Sequence, residues 1–130
     1  MKAIANHEVS KAKRILVAVE DITTAHTIAF WLTQAGHHVI GIAKTVQEAT
    51  AYSYRLPDAA LLDMVLSGKL IWKVAERLAE RRVPLLLLTG ANEAIITPAR
   101  WQRVPLLSKP ITFGTLIART DRLLRGDLDP

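Results

Sequence analysis

The sequence predicts an α/β protein built on a five-stranded parallel sheet with helices on both faces. Two observations carry this prediction. Short apolar runs alternate strictly with stretches whose apolar residues recur at helical spacing. The runs are also nearly continuous in apolar residues, as expected of strands buried on both faces. Right-handed crossovers between such strands place all their carboxyl ends on one edge.

The first run, Arg14–Val19, reads as a strand. Thr23 or Thr24 is placed to cap the next helix, in which Ala25, Ile28, Ala29, Leu32 and Ala35 form an apolar stripe and Gly36 is a natural C′ residue. His38–Ala43 is the second strand. Thr45 followed by Glu48 is a capping box, opening a helix that ends near Leu56-Pro57. Asp58–Met64 is the third strand, followed by a loop with Ser67-Gly68. Lys69–Arg82 is predicted as a helix with Leu70, Ile71, Val74, Ala75 and Leu78 inward and Lys73, Arg77, Glu80 and Arg81 outward.

Val83-Pro84 opens the fourth strand, Leu85–Thr89. Gly90–Arg103 contains Asn92, Thr97 and Pro98 and predicts one short or broken helix. Val104–Ser108 is the fifth strand. Thr112 caps a last helix whose inward face is Phe113, Leu116, Ile117, Thr120, Leu123 and Leu124. Residues 1–13 read as a flexible leader, 14–126 as one domain and 127–130 as a frayed tail.

At 130 residues one domain is expected, burying roughly 70% of its unfolded surface. With no cysteine, disulfides, thiol catalysis and cysteine-ligated metal are excluded, which fits a cytoplasmic protein. The longest apolar stretch, Val83–Leu88, is far short of the roughly 20 residues that span a bilayer. The polar stretch Met1–Lys13 has no apolar signal core. The net charge of +5 would suit an acidic partner, but the basic residues are scattered among acids. No recognition-helix or basic–aromatic motif supports nucleic-acid binding.

Four of the five runs end in residues suited to phosphate chemistry. Glu20-Asp21 follows the first, Asp63 lies at the end of the third, Thr89 ends the fourth, and Lys109-Pro110 follows the fifth. In a parallel sheet these tips share one edge, where open α/β proteins bind ligands. Carboxylates at short range repel unless a cation neutralises them, and Mg²⁺ takes oxygen ligands. A carboxylate beside Mg²⁺, facing an ammonium and a hydroxyl, is equipped to accept a phosphoryl group. His7, His26, His37 and His38 show no metal-ligand spacing. Trp31, Trp72 and Trp101 fall beside the inward faces, where they cover helix edges or form part of a partner surface.

These segments resemble the receiver domains of bacterial two-component response regulators, over about residues 13–125. Val17-Ala18-Val19-Glu20-Asp21 matches the acidic pair, and Pro57–Asp63 matches the phospho-acceptor strand. Leu87-Leu88-Thr89-Gly90 matches the switch-hydroxyl segment and Leu107-Ser108-Lys109-Pro110 the lysine turn. The resemblance implies a flavodoxin-like strand order 2-1-3-4-5. It implies Asp63 as phospho-acceptor, with Thr89 and Lys109 on the phosphoryl oxygens. Mg²⁺ would be held by Asp21, Asp63, Glu20 (directly or through water) and the carbonyl of Val65. The implied donor is a phosphohistidine on a histidine kinase or phosphotransfer protein. Such a stand-alone receiver signals through protein contacts or acts in a phosphorelay, and is not an enzyme. The last two helices, with Arg100, Arg103, Arg119, Arg122 and Arg125 on or near them, are the face on which receivers dock a partner or a second copy.

The sequence departs from the family pattern at three places. Leu106 stands where receivers usually carry an aromatic switch residue. The loop after Asp63 has Ser67 and Ile71 where Pro and Gly are usual, and its glycine is Gly68. The lysine turn continues Ile111-Thr112 without the common aromatic. These departures keep a second reading open, a pseudo-receiver that binds proteins without being phosphorylated. A phosphohydrolase would need a second acid two residues after Asp63, and that residue is Val65.

Overall fold

A computed structural model describes residues 12–90 and 97–126. Most of the expected leader, the tail at 127–130 and positions 91–96 of the expected fourth helix lie outside the described residues. The main sheet comprises β1 (Arg14–Ala18), β2 (His38–Ala43), β3 (Ala59–Asp63), β6 (Leu85–Thr89) and β7 (Leu106–Ser108). The helices are α1 (Ile22–Gln34), α2 (Val46–Ser53), α3 (Trp72–Glu80) and α4 (Phe113–Leu124). A small antiparallel hairpin, β4 (Val65–Leu66) with β5 (Lys69–Leu70), leaves the end of β3.

All pairings in the main sheet are parallel and its order is β2-β1-β3-β6-β7. Renumbered without the hairpin, this is the expected order 2-1-3-4-5. Successive strand residues point to opposite faces, so each strand feeds two cores. Leu16, Ala18, Ala60, Leu62 and Leu87 pack on one side with Ala49 of α2 and Val74, Ala75 and Leu78 of α3. Ile15, Val17, Ala59, Leu61, Leu86 and Leu88 pack on the other with Ala25, Ile28 and Leu32 of α1 and Leu116 and Leu123 of α4. Continuous apolar runs are therefore what this sheet requires.

Gly41 on edge strand β2 lies under the Tyr52 ring, and a Cβ there would collide with it. We expect Gly41→Ala to displace Tyr52 and destabilise the fold by roughly 1–3 kcal/mol. Urea unfolding measures this, and an unchanged midpoint would show that Tyr52 moves freely.

Several expectations are corrected. Asp21, not Thr23 or Thr24, caps α1, its Oδ2 accepting the Thr24 N–H at 2.9 Å. Lys69 and Leu70 belong to the hairpin rather than the third helix, which starts at Trp72. The cause is the two-residue turn Ser67-Gly68, with φ of 49° and 81°. Two successive left-handed residues suit a hairpin and cannot lead straight into a helix. Leu70, expected inward, is 50% exposed.

Phe113 was also expected inward and is 47% exposed, packed edge-on against Trp31 with centroids 5.8 Å apart. Ala35 is exposed beyond the end of α1. Of the expected fourth helix, the described part holds only the 3₁₀ turn Ala99–Trp101. The third and fifth strands are shorter than expected, at Ala59–Asp63 and Leu106–Ser108.

Candidate functional site

The carboxyl ends of β1, β3, β6 and β7 lie on one edge and converge on Asp63. It is the last residue of β3 and only 5% exposed. Its Oδ2 accepts the Glu20 N–H at 3.0 Å, and its Oδ1 lies 2.8 Å from the Lys109 Nζ. The carboxylate is therefore gripped by backbone from the end of β1 and by an ammonium from the end of β7. Charge-assisted contacts of this length are strong and directional. The Lys109 N–H also donates to the Thr89 carbonyl at 2.9 Å, and the Lys109–Pro110 peptide is cis.

The other two acids face the same cleft but hold other partners. Glu20 Oε1 accepts the Ser67 N–H at 2.8 Å, tying the acid to the hairpin. Asp21 Oδ2 accepts both the Thr24 N–H and, at 2.6 Å, the Thr24 hydroxyl. That hydroxyl, and then the amide, hold the Asp21 carboxyl below its ordinary value of 3.8, with a smaller push from Lys109. A carboxyl lowered on folding contributes stability above its unfolded pKa and loses it as pH falls through the folded value. We expect Asp21→Ala to flatten the acid limb of the stability–pH curve below about pH 4, read by urea unfolding across pH. An unchanged limb would refute the cap's contribution.

Glu20, Asp21, Ile22, Lys44, Asp63, Val65 and Lys109 line one open cleft of about 650 Å³. Thr89 is not among them. It is 3% exposed, and its hydroxyl donates to the Gly90 carbonyl at 3.0 Å. Lys44 was missed in the sequence. It follows β2, the one strand whose tip was not weighed, and the strand-end rule would have found it.

Among the described residues, no three His, Asp or Glu side chains are gathered as a metal cluster. Ser67, Thr24 and Lys109 each hold one of the three acids. The donor set nevertheless fits a hard divalent cation. Three carboxylates line the cleft with Val65, every donor is oxygen, and buried Asp63 Oδ1 has only the Lys109 ammonium beside it. His26 and His38 are exposed, and burial pushes the His37 ring below its ordinary value of 6.5; His7 lies outside the described residues.

Beside the cleft, Ile22 (51% exposed) and Phe30 (59% exposed) flank a shallow recess completed by Thr23, His26 and Thr27. No hydrophobic period marks this strip, because both residues sit off the α1 core stripe. The arginines on or near the last two helices are partly engaged within the molecule. Arg119 Nη1 donates to the Leu106 carbonyl at 2.7 Å, and Arg100 pairs with Glu76 at 3.3 Å while lying over Trp101. Leu106, in the position of the family's aromatic switch, is thus held through its backbone by α4.

No protein-family model matches the sequence, and no curated protein does. Solved structures do. SdrG from Sphingomonas melonis Fr1 is 28% identical, with a TM-score of 0.76 over 88% of this chain and 97% of that one. The signal receiver domain of a modulated diguanylate cyclase from Desulfovibrio desulfuricans G20 is 26% identical, with a TM-score of 0.78 over 89% and 96%. The response regulator PhyR from Brucella abortus is 26% identical with a TM-score of 0.78, and the match covers 95% of this chain but 53% of PhyR. These similarities agree with the parallel five-stranded sheet and its strand order. The chain thus has the fold of the receiver domains of response regulators.

Proposed function

We propose that this receiver accepts a phosphoryl group on Asp63 from a phosphohistidine of a histidine kinase or phosphotransfer protein. The observation that carries the reading is the Asp63 carboxylate, oriented at the floor of an open cleft with the Lys109 ammonium at 2.8 Å. In the transfer an Asp63 carboxylate oxygen attacks phosphorus and the P–N bond to histidine breaks. The electron pair leaves on the imidazole nitrogen: a ring protonated on its other nitrogen departs as neutral histidine, and an unprotonated one takes a proton from water. Lys109 then has phosphoryl oxygens to pair with in place of the lost carboxylate charge. The Glu20 N–H fixes the carboxylate plane before attack. Thr89 would turn its hydroxyl from the Gly90 carbonyl toward the phosphoryl group.

Mg²⁺, held by Asp21, Asp63, Glu20 and the Val65 carbonyl, would neutralise charge on the transferred group. The apolar strip of Ile22 and Phe30 beside the cleft suits docking of a donor helix. The phosphorylated form would act through contacts with a protein partner or pass the group on in a phosphorelay. We read the domain as a signalling module rather than an enzyme, working in the cytoplasm. Among the described residues no helix is long and apolar enough to cross a membrane.

The test is mass spectrometry after incubation with acetyl phosphate and Mg²⁺. An added phosphoryl mass in the wild type, absent from Asp63→Asn, is the expected result. A specific pair of observations favours a second reading, a receiver that binds its partner without phosphorylation. The three acids are not gathered, and Leu106 is pinned by Arg119. No adduct under saturating acetyl phosphate, with no response to beryllofluoride, would decide for that reading.

A further inference from the structure

The hairpin after Asp63 is seated over the cleft by one residue. Ser67 donates its N–H to Glu20 Oε1 at 2.8 Å and its hydroxyl to the Lys44 carbonyl at 3.1 Å. It does so in a left-handed conformation, φ 49°, that a non-glycine residue adopts only when its surroundings hold it there. Ser67, Lys69 and Leu70 are exposed, so an amide released here passes directly to water. At its base the hairpin closes through the Ile71 N–H on the Met64 carbonyl at 2.9 Å. It then runs into Trp72, which stacks on Trp101 at 5.9 Å with the rings 13° apart.

We propose that Glu20 is a latch shared between a divalent cation and the Ser67 amide. A cation in the cleft draws the Glu20 carboxylate toward Asp63 and Asp21, and the hairpin over 65–70 is released. With the latch closed, Glu20 Oε1 is occupied by the Ser67 amide. Ser67 is thereby a positioning residue that acts on the cation through Glu20. The inference rests on reading the cleft as a cation site. It gives this chain a means of reporting occupancy that does not use the Leu106 position, with Trp72 at the end of the moving segment.

Linkage makes the proposal quantitative: whatever factor the cation takes from the latch, the latch takes from the cation. The experiment is amide hydrogen exchange on the full chain, with and without Mg²⁺, beside calorimetric Mg²⁺ titration. Saturating Mg²⁺ is expected to speed Ser67 amide exchange about tenfold while the Ala59–Leu62 amides stay protected. Ser67→Ala, which loses the bond to the Lys44 carbonyl, is expected to bind Mg²⁺ about threefold tighter. Glu20→Asp keeps a carboxylate but is too short to span to Ser67, so its Ser67 amide should exchange fast before Mg²⁺ is added and ignore it afterwards.

An unchanged or slower Ser67 exchange at saturation overturns the latch, as does equal or weaker Mg²⁺ binding by Ser67→Ala. Wild-type protein that takes up no Mg²⁺ in the calorimeter removes the cation reading itself, and the latch with it, before any exchange is measured.

Discussion

Lys109→Ala should slow phosphoryl transfer from acetyl phosphate to Asp63 by about 100-fold or more, the loss typical of removing one preorganised charge-stabilising donor. Lys109 is the ammonium in contact with Asp63, at 2.8 Å, and among the described residues the one other lysine lining the cleft is Lys44 after β2. The change also strands Oδ1 of a carboxylate that is 5% exposed, while the Glu20 N–H on Oδ2 stays in place. A buried acceptor without its partner costs roughly 1–3 kcal/mol. The lower end applies, because the Lys109 side chain is itself 33% exposed and water screens the pair. Adding Asp63→Asn should recover most of that stability, since a neutral amide no longer needs the ammonium, while phosphorylation stays absent. Phosphorylation time courses by mass spectrometry and urea unfolding of the two singles and the double variant provide the readout. A Lys109→Ala rate within threefold of wild type would remove Lys109 from the chemistry. Non-additive stability in the double is the signature of a direct pair.

Leu61→Ala should destabilise the protein by roughly 2–5 kcal/mol, a large part of the 5–15 kcal/mol typical of a domain. Leu61 is fully buried at the centre of β3, flanked by β1 and β6, and packs with the α1 and α4 residues of its face. A central strand held on both sides cannot collapse onto the void, so the cavity contribution persists. Leu70→Ala is the contrast. Its side chain is half exposed in the hairpin, and a change within about 0.5 kcal/mol is expected. Had Leu70 been the inward helical residue that its spacing predicts, the two substitutions would behave alike. Urea midpoints separate the cases, and a large loss in Leu70→Ala would return that residue to the core.

The misread elements share a physical cause. Lys69–Arg82 has a clear helical period, and α3 follows it from Trp72 onward. Its first turn is lost to Ser67 and Gly68, whose left-handed backbone is favoured by glycine but fixed here by Glu20 and Lys44, which follow β1 and β2. Phe113 has the right spacing for the core face of α4 but lies in its first turn, where Trp31 of α1 offers only an edge contact. The α1 cap went to Asp21 because a carboxylate beside free N–H groups at a helix start outcompetes a neighbouring hydroxyl.

By itself the sequence determined the α/β class, the order of the five main strands and the acids and Lys109 of the carboxyl edge, though not Lys44. Hydrophobic period and strand-end chemistry are local properties, and a parallel sheet turns strand ends into one edge whatever the details. Only the tertiary structure decided how those residues are partnered. Asp63 is bound to Lys109 across the sheet edge, Glu20 is held by the hairpin, Asp21 is committed to a helix cap, and the Thr89 hydroxyl is turned onto its neighbour's carbonyl. The Asp63–Lys109 and Glu20–Ser67 contacts join residues more than 40 positions apart, so no window of sequence contains both partners. Even the local contacts of Asp21 and Thr89 are choices among competing donors and acceptors, and packing settles them.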